Sequence, residues 1–456
     1  MSISISPDLA VGARYDSLLQ SALRQFFDRA QLDAQQTPAS PPDSRLAIEP
    51  SANPAALIIR WFGTRYTLRV PGRWAFSAHE VRLAQVIGAV LAARYHAILN
   101  PRIIAERGDL FRGVIEDRYV GAFLDHKAYT IETREARADR IASVIELLRV
   151  AALSSYENRP ISTGVLMLSG QDDPCRPGRL PGATAPSYSK QLTAIKSFHR
   201  LADGINTVFL ANADCRLLDV VDVDRWATHA CRNQVLQVPC AKAYQAHARA
   251  TLPAGHVCAV LSPSREIKIF AEGAEVFAFR GAAWHLLDLQ AKFRLWADAV
   301  GDEGLALRLF QTALDLADAR EGALFLVARD PQAAVSHLVA PPDRLDVPIS
   351  EIPNQTGAPS RRDLLHLLEG RSVTDLDPSV LAALASLDGA TVVDRGSRLL
   401  AAGAILRHSP VEDGQAGVVE GARTTAALAA SRFGPVLKVS EDGVITFFDG
   451  ERVWDI

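Results

Sequence analysis

Three short runs toward the C-terminal end combine residue types that do chemistry. Asp388-Gly389-Ala390 sets a carboxylate beside a glycine at the start of a β-rich run. Such an acid can reach a metal ion or a sugar hydroxyl while the ligand comes close to the backbone. Gly421-Ala-Arg423-Thr424-Thr425 opens an Ala-rich helix, so backbone N–H groups and a guanidinium meet at a helix N-terminus, a good setting for phosphate. Ser440-Glu441 follows a further β run and offers a second carboxylate in a turn. Alone, each run is a turn glycine, a helix start or a hairpin tip; in this order they form a set.

The elements that must position these runs have an α/β pattern. From about residue 160 onward, short β-rich runs alternate with helices and Gly/Pro/Asp turns. Residues 1–155 read as a separate, mostly helical module with a sensory or dimerising role. In it we expect a helix over 15–32, a Pro/Ser/Ala-rich linker over 35–54 and a hairpin over 57–70 around Gly63. Two longer helices follow, over 77–99 and 136–155, the first opened by a capping box between Ser77 and Glu80. The rest divides into an α/β, sensor-like domain over 160–295 and a second α/β domain over 300–456.

These two α/β stretches repeat an order of motifs. Gly164-Val-Leu-Met-Leu parallels Gly322-Ala-Leu-Phe-Leu, and Asp203-Gly204 with a later Arg216-Leu-Leu parallels Asp388-Gly389 with Arg398-Leu-Leu. Ser262, with Ile267 and Phe270 behind it, parallels Ser440 with Ile445 and Phe448 at the same spacing. We therefore expect an internal duplication, with an insertion in the second copy over residues 340–360.

Composition excludes several classes. The chain has 456 residues, room for two to four domains at roughly 100–200 residues each. A net charge of −3 provides no basic field for nucleic acid or an anionic membrane. The longest apolar stretch, residues 86–93, is far short of the ~20 residues that span a bilayer, and residues 1–7 carry no secretory signal pattern. Five cysteines without a Cys-x-x-Cys pair read as free thiols in a reducing compartment, so a cytoplasmic location is expected. Phosphate-loop, dinucleotide-fold, zinc-protease and nucleophile-elbow motifs are absent. His229, Cys231, Cys240, His247, His256 and Cys258 lie close in sequence but match no common zinc spacing, and read as buried thiols and ordinary surface histidines.

From about Leu305 to Ile456 the chain resembles the catalytic domain of diadenylate cyclases, bacterial enzymes that join two ATP molecules into cyclic di-AMP. The resemblance begins with the helix around Leu309 to Ala317 and the strand Gly322-Ala-Leu-Phe-Leu-Val327. It continues through Asp388-Gly389-Ala390 and the closing Ser440-Glu441. The family's Gly-Thr-Arg-His-Arg motif reads Gly421-Ala-Arg-Thr-Thr425 here: Arg423 keeps the first Arg, while Thr424 and Thr425 stand in place of the His and the second Arg. The upstream copy keeps Asp203-Gly204 but has Ser262-Pro263 in place of Ser-Glu.

The resemblance implies an α/β (α+β) fold: a mixed sheet with flanking helices, preceded by a degenerate copy of itself. It implies that Asp388 orients or activates the attacking 3′-hydroxyl and, with Glu441, holds Mg²⁺ or Mn²⁺. Gly389, Ala390, Gly421, Arg423, Thr424, Thr425 and Ser440 would bind the nucleotide. Each domain would hold one ATP, so two must face each other, in a homo-oligomer or an intrachain pseudo-dimer. Losing a cation and a His at Thr424-Thr425 removes on the order of 3 kcal/mol of transition-state stabilisation apiece. Two functions follow: a nucleotide-signalling protein that binds ATP and condenses it to cyclic di-AMP, or a catalytically inactive sensor or regulatory protein that binds ATP or a cyclic dinucleotide.

Overall fold

A computed structural model shows a mixed α+β protein. It describes the chain apart from residues 1–6, 28, 37–45, 50, 71–74, 126–138, 172, 176–181, 183, 196, 233, 254, 346–360 and 408–420. The expected insertion over 340–360 therefore falls mostly outside the described residues. Among the described residues, no helix is long and apolar enough to cross a membrane.

The chain forms two compact units. One comprises residues 1–236 and 246–288; the other comprises 237–245 and 289–456. In the first unit, the N-terminal module and the first α/β sheet share a single core. It includes Leu19, Tyr66, Leu91, Tyr119 and Leu147 from the module, and Val165, Ile269 and Phe277 from the sheet. A division at residue 155 thus runs through packed side chains. Asp117 shows why, since its buried carboxylate accepts from Arg149 at 2.6 Å and from the Trp284 indole at 2.8 Å.

The module is less helical than expected. Helix α1 (Pro7–Phe26) begins and ends earlier than the sequence spacing suggested. Strands β1 (Gln31–Gln36) and β2 (Ala47–Glu49) occupy parts of the expected linker, and join β3 (Ala56–Trp61) and β4 (Thr64–Arg69) in a sheet ordered β1-β4-β3-β2. Mostly polar β1 pairs with β4, and its Leu32 packs against the core. The β3–β4 turn is Phe62-Gly63, both at positive φ, which matches the right-handed twist of a hairpin. Helix α2 (Ala78–Leu99) opens with the full Ser77–Glu80 capping box. Helices α3 (Pro101–Glu106), α4 (Ile115–Leu124) and α5 (Arg140–Ala152) follow, then a two-strand ribbon of β5 (Ser155–Tyr156) and β6 (Arg159–Pro160).

The first α/β sheet contains β7 (Thr163–Met167), β8 (Thr207–Ala211), β9 (Leu217–Asp222), β10 (Val257–Leu261), β11 (Ile267–Ala271), β12 (Ala274–Arg280) and β13 (Ala283–Leu286). Helices α6 (Val223–Ala230) and α7 (Gln245–Ala250) lie between β9 and β10 in the chain. In the second unit, α8 (Leu289–Val300) and α9 (Glu303–Ala319) lead into β14 (Ala323–Ala328). After α10 (Pro331–Leu338), α11 (Arg361–Leu365) and α12 (Pro378–Ala385) come β15 (Ala390–Asp394) and β16 (Leu399–Ala404). Helix α13 (Ala422–Ala430) precedes β17 (Val436–Val439), β18 (Ile445–Asp449) and β19 (Glu451–Asp455).

The two sheets have the same strand order. The first runs β9-β8-β7-β10-β11-β12-β13; the second runs β16-β15-β14-β17-β18-β19 and lacks only the last strand. In each, the central strand is parallel to one neighbour (β7 with β8, β14 with β15) and antiparallel to the other (β10, β17). Small details recur too. Asn212 and Asp394 end corresponding strands, and each side chain accepts from the backbone N–H four residues on, Arg216 at 2.9 Å and Arg398 at 2.8 Å. Ser262 and Ser440 open corresponding turns, their N–H groups donating to the carbonyls of Glu266 and Val444 at 2.8 and 2.9 Å.

Registers correct two of the expected equivalences. Thr163 pairs with Leu261 as Ala323 pairs with Val439, so Gly164 corresponds to Leu324 rather than to Gly322. Val165 pairs with Phe209 as Phe325 pairs with Thr391, which places Asn206, not Asp203, at the row of Asp388. A turn lengthened just before β8 produced the apparent Asp-Gly match.

Candidate functional site

The register of the second sheet gathers the sequence-selected residues at one end. Counting back from Phe325–Thr391 brings Asp388 level with Gly322, at the start of β14 and β15. Counting on from Ala323–Val439 brings Ser440 to the same row from the other side.

Glycines make this end passable. Gly389 has φ of 120°, and a Cβ there would run into the Gly403 and Ala404 backbone of the neighbouring strand. Only glycine fits both the conformation and the space. Gly322 has a different task, since a Cβ on it would collide with the guanidinium of Arg423. The arginine therefore lies directly over the start of the central strand. Its Nη1 is 3.5 Å from Glu441 Oε1, an ion pair whose Glu441 side chain is 74% exposed.

Gly421 caps α13 through its backbone alone, with Thr424 and Thr425 N–H donating to its carbonyl at 2.8 and 3.3 Å. Ser440 is tied into its own turn, its hydroxyl donating to Val444 O at 3.0 Å, so its role is to shape the loop that carries Glu441. Ala390 is buried at the base of β15. Asp388 is exposed, and among the described residues nothing hydrogen-bonds its carboxylate.

One residue of this end escaped the sequence reading. Lys438, half-buried on β17, donates from Nζ to Thr424 Oγ1 at 2.9 Å. A charged residue inside an otherwise apolar strand, two positions before Ser-Glu, was the available signal. It is one of only seven lysines in the chain.

The chemistry of the donor set suits Mg²⁺ or Mn²⁺ only with a ligand's help. Two carboxylates, Asp388 and Glu441, are present at this end, and among the described residues no three His, Cys, Asp or Glu side chains group as metal ligands. Mg²⁺ is commonly held by one or two carboxylates plus substrate phosphates, and this set fits that pattern.

No family model matches the chain, and no curated protein does. Among solved structures, a hypothetical membrane-spanning protein from Bacillus cereus is 20% identical with a TM-score of 0.23; the match covers 32% of this chain and 61% of that one. A double mutant of DacA from Staphylococcus aureus is 23% identical with a TM-score of 0.21, covering 33% of this chain and 85% of that one. Likeness at this level identifies neither a family nor an activity. What the site can do rests on its own residues.

The first unit holds the same outline with different contents. Asn206 stands at the row of Asp388, and its side-chain amide donates to Asp203 Oδ2 at 2.9 Å. Asp203 Oδ1 also accepts from the N–H groups of Ile205, Asn206 and Thr207 at 2.8–2.9 Å. These bonds hold its carboxyl below the usual range even though burial opposes them. His247 and His256 are buried rather than on the surface as expected. His247 on α7 faces Gly204 O at 2.9 Å, and burial pushes its pKa down to about 4. Cys231, Cys240 and Cys258 are buried thiols, and burial raises the pKa of Cys231 and, far more, of Cys258. A cavity of about 770 Å³ opens beside β9 and α6, lined by Asp173, Asp222, Arg225, Trp226, His229 and Arg232 among others.

Proposed function

We propose that the C-terminal unit binds ATP at the N-terminal ends of β14 and β15 and condenses two ATP molecules slowly to cyclic di-AMP. The observation that carries this reading is the convergence of Asp388, whose carboxylate nothing hydrogen-bonds among the described residues, with the Arg423–Glu441 pair at one sheet end. Arg423 and the first N–H groups of α13 would take phosphate. Asp388 would orient the 3′-hydroxyl. With Glu441 and the nucleotide's own phosphates, it would hold Mg²⁺ or Mn²⁺, which neutralises phosphate charge when bound.

In each of two transfers, the 3′-oxygen of one ATP bonds to the α-phosphorus of the other while the α–β phosphoanhydride breaks. Pyrophosphate leaves and the hydroxyl gives up its proton. Both transfers need two competent sites face to face. Because Asn206 replaces the carboxylate in the upstream copy, we assign the second site to another copy of this chain, in a homo-oligomer rather than an intrachain pseudo-dimer.

A second reading is a nucleotide-binding sensor without turnover. The uncharged Thr424-Thr425 pair favours it, and the polar cavity beside α6 suits an effector of the first unit. Incubation with ATP and Mn²⁺ or Mg²⁺, followed by mass spectrometry, separates the two. Cyclic di-AMP that vanishes in Asp388→Asn supports the enzyme; ATP binding that depends on Arg423 without product supports the sensor. Neither binding nor product would sink both.

A further inference from the structure

Glu441 stands on an exposed turn, and its ion pair with Arg423 is too open to solvent to fix it there. We infer that Arg320 is a positioning residue of the C-terminal site, its guanidinium seating the turn of residues 440–443 so that Glu441 is held for the metal and the nucleotide phosphates. This deepens the proposed function and rests on it.

The first observation is where Arg320 stands. It ends α9 in the left-handed conformation, with φ of 61° and ψ of 34°, its N–H donating to the carbonyls of Leu316 and Ala317. Glycine is the usual residue at such a helix end, because an L side chain is disfavoured there. A long side chain kept at this point is accounted for by what it touches. Gly443 is buried, and a Cβ on it would stand 2.6 Å from Arg320 Nη1 and 3.1 Å from the Ala317 carbonyl oxygen. The last turn of α9 and the Arg320 side chain thus meet the turn's backbone directly, two residues after Glu441.

The other observation is the contrast between the copies. The two turns are built alike: Arg265 N–H donates to Ser262 O at 3.0 Å, and Gly443 N–H to Ser440 O at 2.9 Å. Both donors are left-handed, with φ of 65° at Arg265 and 81° at Gly443. Arg265 is exposed and shows that this conformation admits a side chain, so the conformation alone does not require Gly443. The space taken by Arg320 and Ala317 does. Where the second copy has Glu441, the first has Pro263. The copy whose turn carries an acid is the one whose turn is seated on an arginine.

The test is titration calorimetry of the full chain with ATP, once in Mn²⁺ and once in chelator, with thermal melting in the absence of nucleotide as the control for folding. The ratio of the two affinities reads what the metal adds to binding. Glycine suits the left-handed helix end, so Arg320→Gly should melt within a few degrees of wild type. Its ratio should drop about 10-fold while its affinity in chelator stays. Glu441→Gln should show the same drop, and the double variant no more than either alone. Gly443→Ala, whose Cβ displaces the guanidinium, should repeat it and stands in should Arg320→Gly fail to fold. A wild-type ratio in Arg320→Gly, or a drop that adds to that of Glu441→Gln, would overturn the inference and leave the ATP site standing. Equal losses in Mn²⁺ and in chelator would mark Arg320 as a phosphate contact or a packing residue and overturn it too. A wild-type chain that binds no ATP removes the proposed function, and this inference with it.

Discussion

Single residues divide the candidate site into those that hold shape and those that can meet a ligand. Gly322 belongs to the second group although it has no side chain, because the Arg423 guanidinium occupies the space its Cβ would take. Arg423 is a flexible side chain and about a third exposed, so it can swing aside at small cost. Gly322→Ala should therefore leave the melting temperature within a few degrees of wild type while ATP affinity falls several-fold, as read by calorimetry. Equal affinity would mean that the seat over β14 does not matter to the ligand. That Arg423 and Glu441 pair at this end of the sheet agrees with motifs that are short and local in the sequence. The Lys438–Thr424 bond was not legible there, since it depends on which α13 residue lies above β17, a relation set by sheet order.

At the scale of elements, the strand order of the two sheets was foreshadowed by repeated motifs, but their register was not. Motif matching aligned Asp203 with Asp388 because both precede glycine; only the pairing of β7 with β8 shows Asn206 in that row. A turn can gain residues without disturbing the strands it joins, so sequence spacing across it misleads. The N-terminal sheet was missed for a related reason, as β1 and β2 are short and each offers the core a single large apolar side chain, Leu32 and Ile48. The β15–β16 pair depends on Gly389, which has both an L-unfavourable φ and backbone where a Cβ would sit. Gly389→Ala should cost at least about 2 kcal/mol, visible in urea unfolding of the full chain, and should abolish ATP binding with it. A neutral outcome would mean the strand ends can separate.

For the whole molecule, two histidines of the first unit predict how stability responds to pH. His79 donates to Asp288, 3.1 Å away, and that bond raises its pKa despite partial burial. A raised folded value means its contribution is complete below the unfolded pKa of about 6.5 and fades as pH climbs through the folded one. His247 acts in the opposite sense. Its folded pKa of about 4 lies below the unfolded value, so the unfolded chain binds the proton first. Stability present above pH ~6.5 is then lost as pH falls toward 4, by up to about 3 kcal/mol for a shift of this size. His247→Gln, whose amide can still reach Gly204 O, should flatten the acid side of a melting-temperature profile from pH 4 to 8. His79→Gln should flatten the rise toward acid that His79 provides. A His247→Gln profile that falls as steeply as wild type would show that another group governs acid unfolding.

The Asp203 turn and the exposed Asp388 carboxylate also differ in what a sequence can tolerate. Asp203 spends its oxygens on its own loop, so in a mutational scan selected for folded yield its substitutions should be depleted, whatever the chain binds. Asp388 contributes nothing to that loop among the described residues, and the same selection should pass over it. Selection for nucleotide signalling would reverse the ranking. The two acids, alike to the eye in sequence, would thus record two separate histories of constraint: one for keeping a shape and one for keeping a use.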